Sequence, residues 1–313
     1  LGFSLNLHYW QEAHRQGTFT QTNKTMNKQI ESIIPRPSRP NMVGDGFRVF
    51  NFIPGGIGQQ RISPFLMLDF AAEHNFSPSE KERGVDVHPH KGFETITIAY
   101  KGSVAHHDSA GNRGVINPGD VQWMTAGAGI LHKEYHEKEY SRKGGPFEMV
   151  QLWVNLPKKY KSEAPHYQAL SADGMGKVQL PDNTGQVNVI AGTFNGTKGP
   201  AQTYSPVNLF DIRLNKDGEV GFPVPEDHNT ALLVIDGSIA VNGTTAPRHS
   251  FVLFKNEGES ISVRALENSV VLLLSGTPIN EPIVSYGPFV MNTQEEIYHA
   301  IQDYQRGKFG YLD

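Results

Sequence analysis

Between about Gly44 and Leu156 the chain alternates short apolar-rich runs with clusters of Gly, Pro, Asn and Asp, and long amphipathic helices are absent. Phe47-Arg48-Val49-Phe50-Asn51-Phe52, Thr95-Ile96-Thr97-Ile98-Ala99-Tyr100 and Val150-Gln151-Leu152-Trp153-Val154 are rich in the β-branched and aromatic residues that suit strands. The breaks between runs have turn chemistry: Lys101-Gly102, Ala110-Gly111-Asn112 and Asn117-Pro118-Gly119-Asp120 tolerate or preset turn dihedrals. The pattern predicts an antiparallel sandwich or barrel.

A second stretch with the same habits runs from about Val187 to Pro288, after the loop-like Leu180-Pro181-Asp182-Asn183-Thr184-Gly185. Its strands include Thr230-Ala231-Leu232-Leu233-Val234-Ile235 and Val270-Val271-Leu272-Leu273-Leu274. Tyr100-Lys101-Gly102-Ser103-Val104-Ala105 is echoed by Ile235-Asp236-Gly237-Ser238-Ile239-Ala240, which suggests duplicated β-domains. Near the C-terminus the period changes. Ile297, Ala300, Ile301 and Tyr304 recur at helical spacing, Thr293 and Glu296 stand at capping-box distance, and Gly307 or Gly310 would end the helix. This helix is expected to dock its apolar face on a β-domain.

Composition narrows the functions available. A chain of 313 residues with 38% hydrophobic side chains can bury a core in two domains. A net charge of -4 gives no basic footprint for direct nucleic-acid binding. Mean hydropathy is -0.41, and no apolar run approaches the roughly 20 residues of a membrane span, so no membrane association is expected. With no cysteine, a metal would have to be held by His, Asp and Glu. Residues 1–25 show no persistent period and no convincing secretory signal, so they read as an extension, with Met26 a plausible native start and the cytoplasm the default location.

The candidate chemistry lies in two pairs, His88-Pro89-His90 and His132-Lys133-Glu134. Residues i and i+2 of a strand share a face, so on two strands of one barrel these pairs would aim three imidazoles and a carboxylate at one point. That set suits Fe(II), Mn, Ni, Cu or Zn, although a His-x-His pair also arises by accident on polar strands. Glu94 could be a fifth ligand, orient a ligand imidazole, or make a structural hydrogen bond. The latter two are preferred. Of His106 and His107 only one can face the interior, and His106 is taken as a supporting residue. His136 is expected at the barrel mouth or in solvent, and His166 at the surface or satisfied. Trp123 and Met124 read as core, while Gly127 and Gly129 suggest a bulge or close backbone approach rather than a nucleotide loop. No bound organic cofactor is expected.

The runs His88-Pro89-His90-Lys91-Gly92-Phe93-Glu94-Thr95, Asn117 to Gly127, Gly129-Ile130-Leu131-His132-Lys133-Glu134 and Gln151 to Leu156 together resemble the pirin family. Pro64-Phe65-Leu66 and Gly287 to Thr293 with Glu295-Glu296-Ile297 extend the likeness from about Gly44 to the C-terminus. The resemblance implies an all-β bicupin: residues 26–165 a metal-binding cupin of the jelly-roll class, 166–290 a metal-free one, and 291–313 a short C-terminal α-helix and tail. It implies His88, His90, His132 and Glu134 as ligands, and Fe(II) as the chief metal with Mn, Ni, Cu, Co or Zn able to replace it. It implies two alternative activities. One is a quercetin 2,3-dioxygenase, in which Glu134 takes the proton of a flavonol before O2 opens the ring and carbon monoxide leaves. The other is a metal- or redox-dependent regulator that binds a transcription factor or metabolic enzyme. Lys91 departs from the Arg common in the family, so a role that needs a guanidinium fork is in doubt. A monomer is expected.

Overall fold

The structure, a computed structural model, describes residues 26–313, and the 1–25 extension lies outside the described residues. The strands β1 (Ile30–Pro35), β2 (Asn41–Val43), β3 (Phe47–Ile53), β4 (Phe65–Phe76), β5 (Gly84–His90) and β6 (Phe93–Lys101) open the fold. β7 (Val104–Asp108), β8 (Arg113–Ile116), β9 (Val121–Thr125), β10 (Ile130–His136), β11 (Gly145–Asn155) and β12 (His166–Leu170) follow. A seven-stranded sheet in the order β12-β9-β6-β11-β4-β3-β2 and a four-stranded sheet β5-β10-β7-β8 form the first barrel.

The second barrel repeats that plan. Its seven-stranded sheet is β1, Ser250–Phe254, Asn229–Asp236, Ser269–Gly276, Val207–Leu214, Gly185–Ala191 and Gly176–Gln179. Its four-stranded sheet is Glu219–Pro223, Ser260–Ala265, Ile239–Val241 and Thr244–Ala246. The short echo marks equivalent hairpins, since Gly102 and Gly237 both turn the chain at φ 74°, a left-handed value natural to glycine. One strand crosses between the barrels. β1 precedes the first barrel yet pairs with Ser250–Phe254 of the second, whereas β12 pairs with β9 of the first.

Period-two alternation explains where each side chain goes. β6 sends Thr95 and Thr97 inward and Ile96 and Ile98 outward, and the outward faces of the two large sheets meet in one apolar core. There Phe50, Phe52, Trp123 and Leu152 pack with Leu209, Leu233, Phe251 and Leu272, and Phe52 stacks on Phe251 with ring centroids 5.6 Å apart. Trp123 is core, as its sequence context predicts, and so is Met124 on the opposite face of β9. The second barrel is filled by its own apolar cluster, including Val187, Phe210, Phe222, Leu232 and Ile261.

The capping box forms: Thr293 Oγ1 accepts from the Glu296 amide and the Glu296 carboxylate accepts from the Thr293 amide. The helix Gln294–Gln305 buries Ile297 and Ala300, but Tyr304 of the predicted stripe is 43% exposed. Phe309, brought back past the left-handed Gly307, packs into the apolar cluster in its place. No helix of the described residues is long and apolar enough to cross a membrane.

The inter-barrel core should carry a large share of the stability. Phe251→Ala is expected to lower the unfolding free energy by about 3–5 kcal/mol, measured by chemical denaturation. A loss under about 1 kcal/mol would show that the barrels stand without that contact.

Candidate metal centre

β5 and β10 are hydrogen-bonded neighbours, and their register sets His132 opposite His88 and Ile130 opposite His90. The three imidazoles of His88, His90 and His132 therefore face one space, each offering a ring nitrogen within 4.8 Å of the others. Their ring centroids are 4.9, 4.3 and 4.7 Å apart. His88 Nδ1–H donates to the Asp86 carbonyl at 2.8 Å, which fixes the tautomer and leaves Nε2 with a lone pair. Both ring nitrogens of His132 and Nδ1 of His90 are buried without a hydrogen-bond partner. Burial, reinforced by the neighbouring imidazoles, holds His90 and His132 well below the ordinary histidine pKa, and burial also lowers His88. Neutral, desolvated imidazoles with orphaned nitrogens are the donor set that a divalent metal satisfies, so these residues fit such an ion.

Glu134 lies on the same face of β10, but its carboxylate stands beside the histidine cluster rather than within it. A bulge between His132 and Glu134 shifts the pairing so that Glu134 meets Val85, and local re-aiming of this kind recurs next to active sites. Thr97 Oγ1 donates to Oε1 at 2.9 Å and Gln151 Nε2 donates to Oε2 at 3.3 Å. Burial pushes this carboxyl up to about 7 against both hydrogen bonds. Thr97 and Gln151 belong to a polar row that sequence reading missed. Gln122, Thr97, Gln151, Asp69 and Asn51 stand opposite one another across β9, β6, β11, β4 and β3. A cavity of about 430 Å³ opens beside the triad, walled by Phe47, Val49, Met67, Met149 and Trp153, with His88, His90, Glu134, Gln151 and Asp69 in its lining.

The other candidates do not join the triad. Glu94 alternates to the face of Ile96 and Ile98, where it accepts from Thr125 Oγ1 at 2.7 Å, and burial raises its carboxyl to about 7. It makes the structural hydrogen bond and orients no imidazole. His106 faces inward opposite Glu134 and shares a 2.8 Å hydrogen bond with the Tyr167 hydroxyl, while burial lowers it to about 4. His136 corrects the sequence expectation. It is buried, donates from Nε2 to the Gly46 carbonyl at 2.8 Å, and packs against Phe47, Phe76 and Phe147, because the alternation from His132 continues inward to the strand end. His166 is satisfied beside Thr125 at 3.3 Å.

The C-terminal segment holds the ligand strands in place. A Cβ on Gly92 would lie 2.1 Å from the Val290 carbonyl, and one on Gly129 would lie 2.2 Å from the Phe309 ring. Of the two glycines read from the sequence as sites of close backbone approach, Gly127 meets backbone, since a Cβ there would lie 2.2 Å from the Glu163 carbonyl, whereas the group against Gly129 is the Phe309 side chain. Buried Lys161 donates from Nζ to the carbonyls of Gly92 and Val290 and to Asn155 Oδ1, at 2.7, 2.9 and 2.6 Å. Lys91 Nζ pairs with Asp303 at 3.0 Å and lies over the Phe309 ring, 5.5 Å from its centroid. Gly287 and Pro288 then form a lip of the cavity.

The Pirin family description matches residues 46–154, and the pirin C-terminal cupin domain matches residues 209–310. A pirin-like protein of Solanum lycopersicum is 39% identical over 294 residues, covering 90% of this chain and 96% of its own. The chain belongs to the pirin family. Its fold is the bicupin that the family resemblance implied. A crystal structure of quercetin 2,3-dioxygenase from Acinetobacter baumannii superposes on this pirin with TM-score 0.88 at 45% identity, covering 92% of this chain and 100% of the other. The Escherichia coli pirin YhhW, solved in complex with nickel(II), shares the fold at 22% identity and TM-score 0.58, covering 79% of this chain and 100% of its own.

Proton linkage gives a test of the buried histidines. Below the ordinary value of 6.5 the unfolded chain protonates these imidazoles before the folded chain does, so their contribution to stability falls as pH drops through about 6.5. Glu94 and Glu134, raised to about 7, act in the opposite sense, so the informative quantity is a difference. Metal-free wild type should lose stability relative to His132→Gln between about pH 7 and pH 5, by up to about 1.4 kcal/mol per pH unit. Parallel stability curves would show that His132 is not held neutral by the fold.

Proposed function

We propose that this pirin is a metal-dependent dioxygenase that opens the ring of a flavonol such as quercetin with O2 and releases carbon monoxide. The observation that carries the reading is the triad of desolvated imidazoles at the side of an apolar cavity that also holds the Glu134 carboxylate. His88, His90 and His132 would hold the ion, with Glu134 as fourth ligand, and Fe(II) is the proposed metal. Such an ion supplies Lewis acidity and electron transfer to O2.

The chain's own residues do the rest. Glu134, the carboxylate in the cavity lining, receives the proton of the flavonol hydroxyl. Thr97 and Gln151 hold the carboxylate in place through one hydrogen bond to each of its oxygens. Phe47, Met149 and Trp153 present flat or adaptable apolar surface to an aromatic ligand and exclude water from the site.

Iron-loaded protein incubated with quercetin and O2 should consume flavonol absorbance and produce carbon monoxide, and His88→Ala should abolish both. Glu134→Gln, which keeps the shape but not the base, is expected to lower kcat by about 100-fold or more. Absence of turnover with every flavonol tried, together with a redox-dependent protein partner, would favour the regulatory activity instead.

A further inference from the structure

We propose that Asp69 is a specificity-determining residue of this cavity: its carboxylate accepts a hydrogen bond from a second, phenolic hydroxyl of a polyhydroxylated aromatic substrate. The inference rests on the flavonol reading above and adds to it the ligand feature that the cavity selects.

Apart from the histidines and Glu134, the polar side chains in the cavity wall are Gln151 and Asp69. Gln151 Nε2 donates to Glu134, and Gln151 Oε1 competes with Glu134 Oε1 for the one Thr97 hydroxyl proton. Asp69 has one hydrogen-bond donor, Asn51 Nδ2 at 2.8 Å to Oδ1, and no cationic partner among the described residues. Burial raises its pKa against that single hydrogen bond, which marks an under-solvated carboxylate. Unlike Glu94, which alternates away from the cavity, Asp69 remains partly accessible from it.

The register gives the spacing. Asp69 stands directly opposite Gln151, so it is the next side chain along the polar row beyond the pair that seats Glu134. Adjacent strands are about 4.8 Å apart, and hence a flat aromatic that presents one hydroxyl to Glu134 carries its ring system across Gln151 towards Asp69. A hydroxyl on that ring system would supply the donor that Oδ2 lacks, inside walls formed by Val49, Met67 and Trp153. An analogue without the hydroxyl would leave the carboxylate desolvated and unpaired, which is how a buried polar group rejects a near-isostere.

Quercetin and 3-hydroxyflavone, which retains the metal-side hydroxyl but lacks the others, separate the two contacts. Binding to metal-loaded protein is read from quenching of tryptophan fluorescence, since Trp153 lines the cavity. Wild type should prefer quercetin by about tenfold or more. Asp69→Ala should erase that preference while changing 3-hydroxyflavone binding by less than about twofold, and Asp69→Asn, which keeps an acceptor, should fall between. Equal binding of the two ligands by wild type, or equal weakening of both in Asp69→Ala, would overturn the inference. Binding of neither ligand by wild type would overturn both the inference and the flavonol reading. The expected discrimination without O2-dependent turnover would support Asp69 as a recognition residue and remove only the dioxygenase assignment.

Discussion

The back-to-back packing of the two seven-stranded sheets is the contact on which the rest of this pirin depends. A barrel ordinarily gains stability by filling its own interior, and the second barrel does so with Val, Leu, Ile and Phe. Part of the first barrel's interior holds Thr97, Gln122, Gln151, Glu134, His106 and His132 instead, groups whose burial costs free energy unless they are paired. The outward faces of its large sheet compensate, because Phe50, Phe52, Ile96, Trp123 and Leu152 are covered by the second barrel. The second barrel is thus the apolar support that lets the first keep a polar, partly unsatisfied interior. The pairing of β1 ties the halves further, because the large sheet of the second barrel is completed by chain that precedes the first.

The same division of labour reaches the triad through the C-terminal segment. His90 ends β5 and His132 lies near the start of β10, so both sit at one end of the ladder that these strands form. Val290 and Lys161 clamp the turn after His90, and Phe309 is seated against Gly129 three residues before His132. Ser109 extends the clamp, donating to the Phe309 carbonyl while accepting from the Leu131 amide. Chain that follows the second barrel therefore immobilises the histidine triad carried by the first, and a site proposed to hold a metal needs such support to keep its donors within a narrow geometry.

Much of this was legible in the sequence, and what was legible obeys local rules. The histidine pairs stood out because two ligand types at i and i+2 share a strand face. The C-terminal helix stood out because Thr293 and Glu296 are neighbours in the chain. The misplacement of His136 came from setting a polar side chain against its alternation, when the alternation runs unbroken from His132 to the strand end. Glu134 illustrates a different limit. Its face follows from spacing, but the bulge beside it and the hydrogen bonds from Thr97 and Gln151 depend on β5, β6 and β11. The polar row could not be read at all, since Asn51 and Gln151 come within two strands of each other only after a cross-sheet register has formed. Each member did leave a faint trace: a lone polar residue inside an apolar run, as Asp69 is in Phe65-Leu66-Met67-Leu68-Asp69-Phe70.

That trace separates two kinds of buried polar group in this fold. Glu94 and Lys161 lie deep among apolar neighbours, and both find protein partners that hold chain segments together. The histidine triad and Asp69 are different, because lone pairs on them remain without a donor or cation from the protein while facing a cavity. A fold that only needed stability would replace the orphaned imidazoles with apolar groups of similar volume, since a desolvated and unpartnered polar atom costs about 1–3 kcal/mol. Their unmet valence faces the ligands proposed for them: a metal ion that the histidines could hold, and a hydroxyl donor at the carboxylate one strand beyond Gln151.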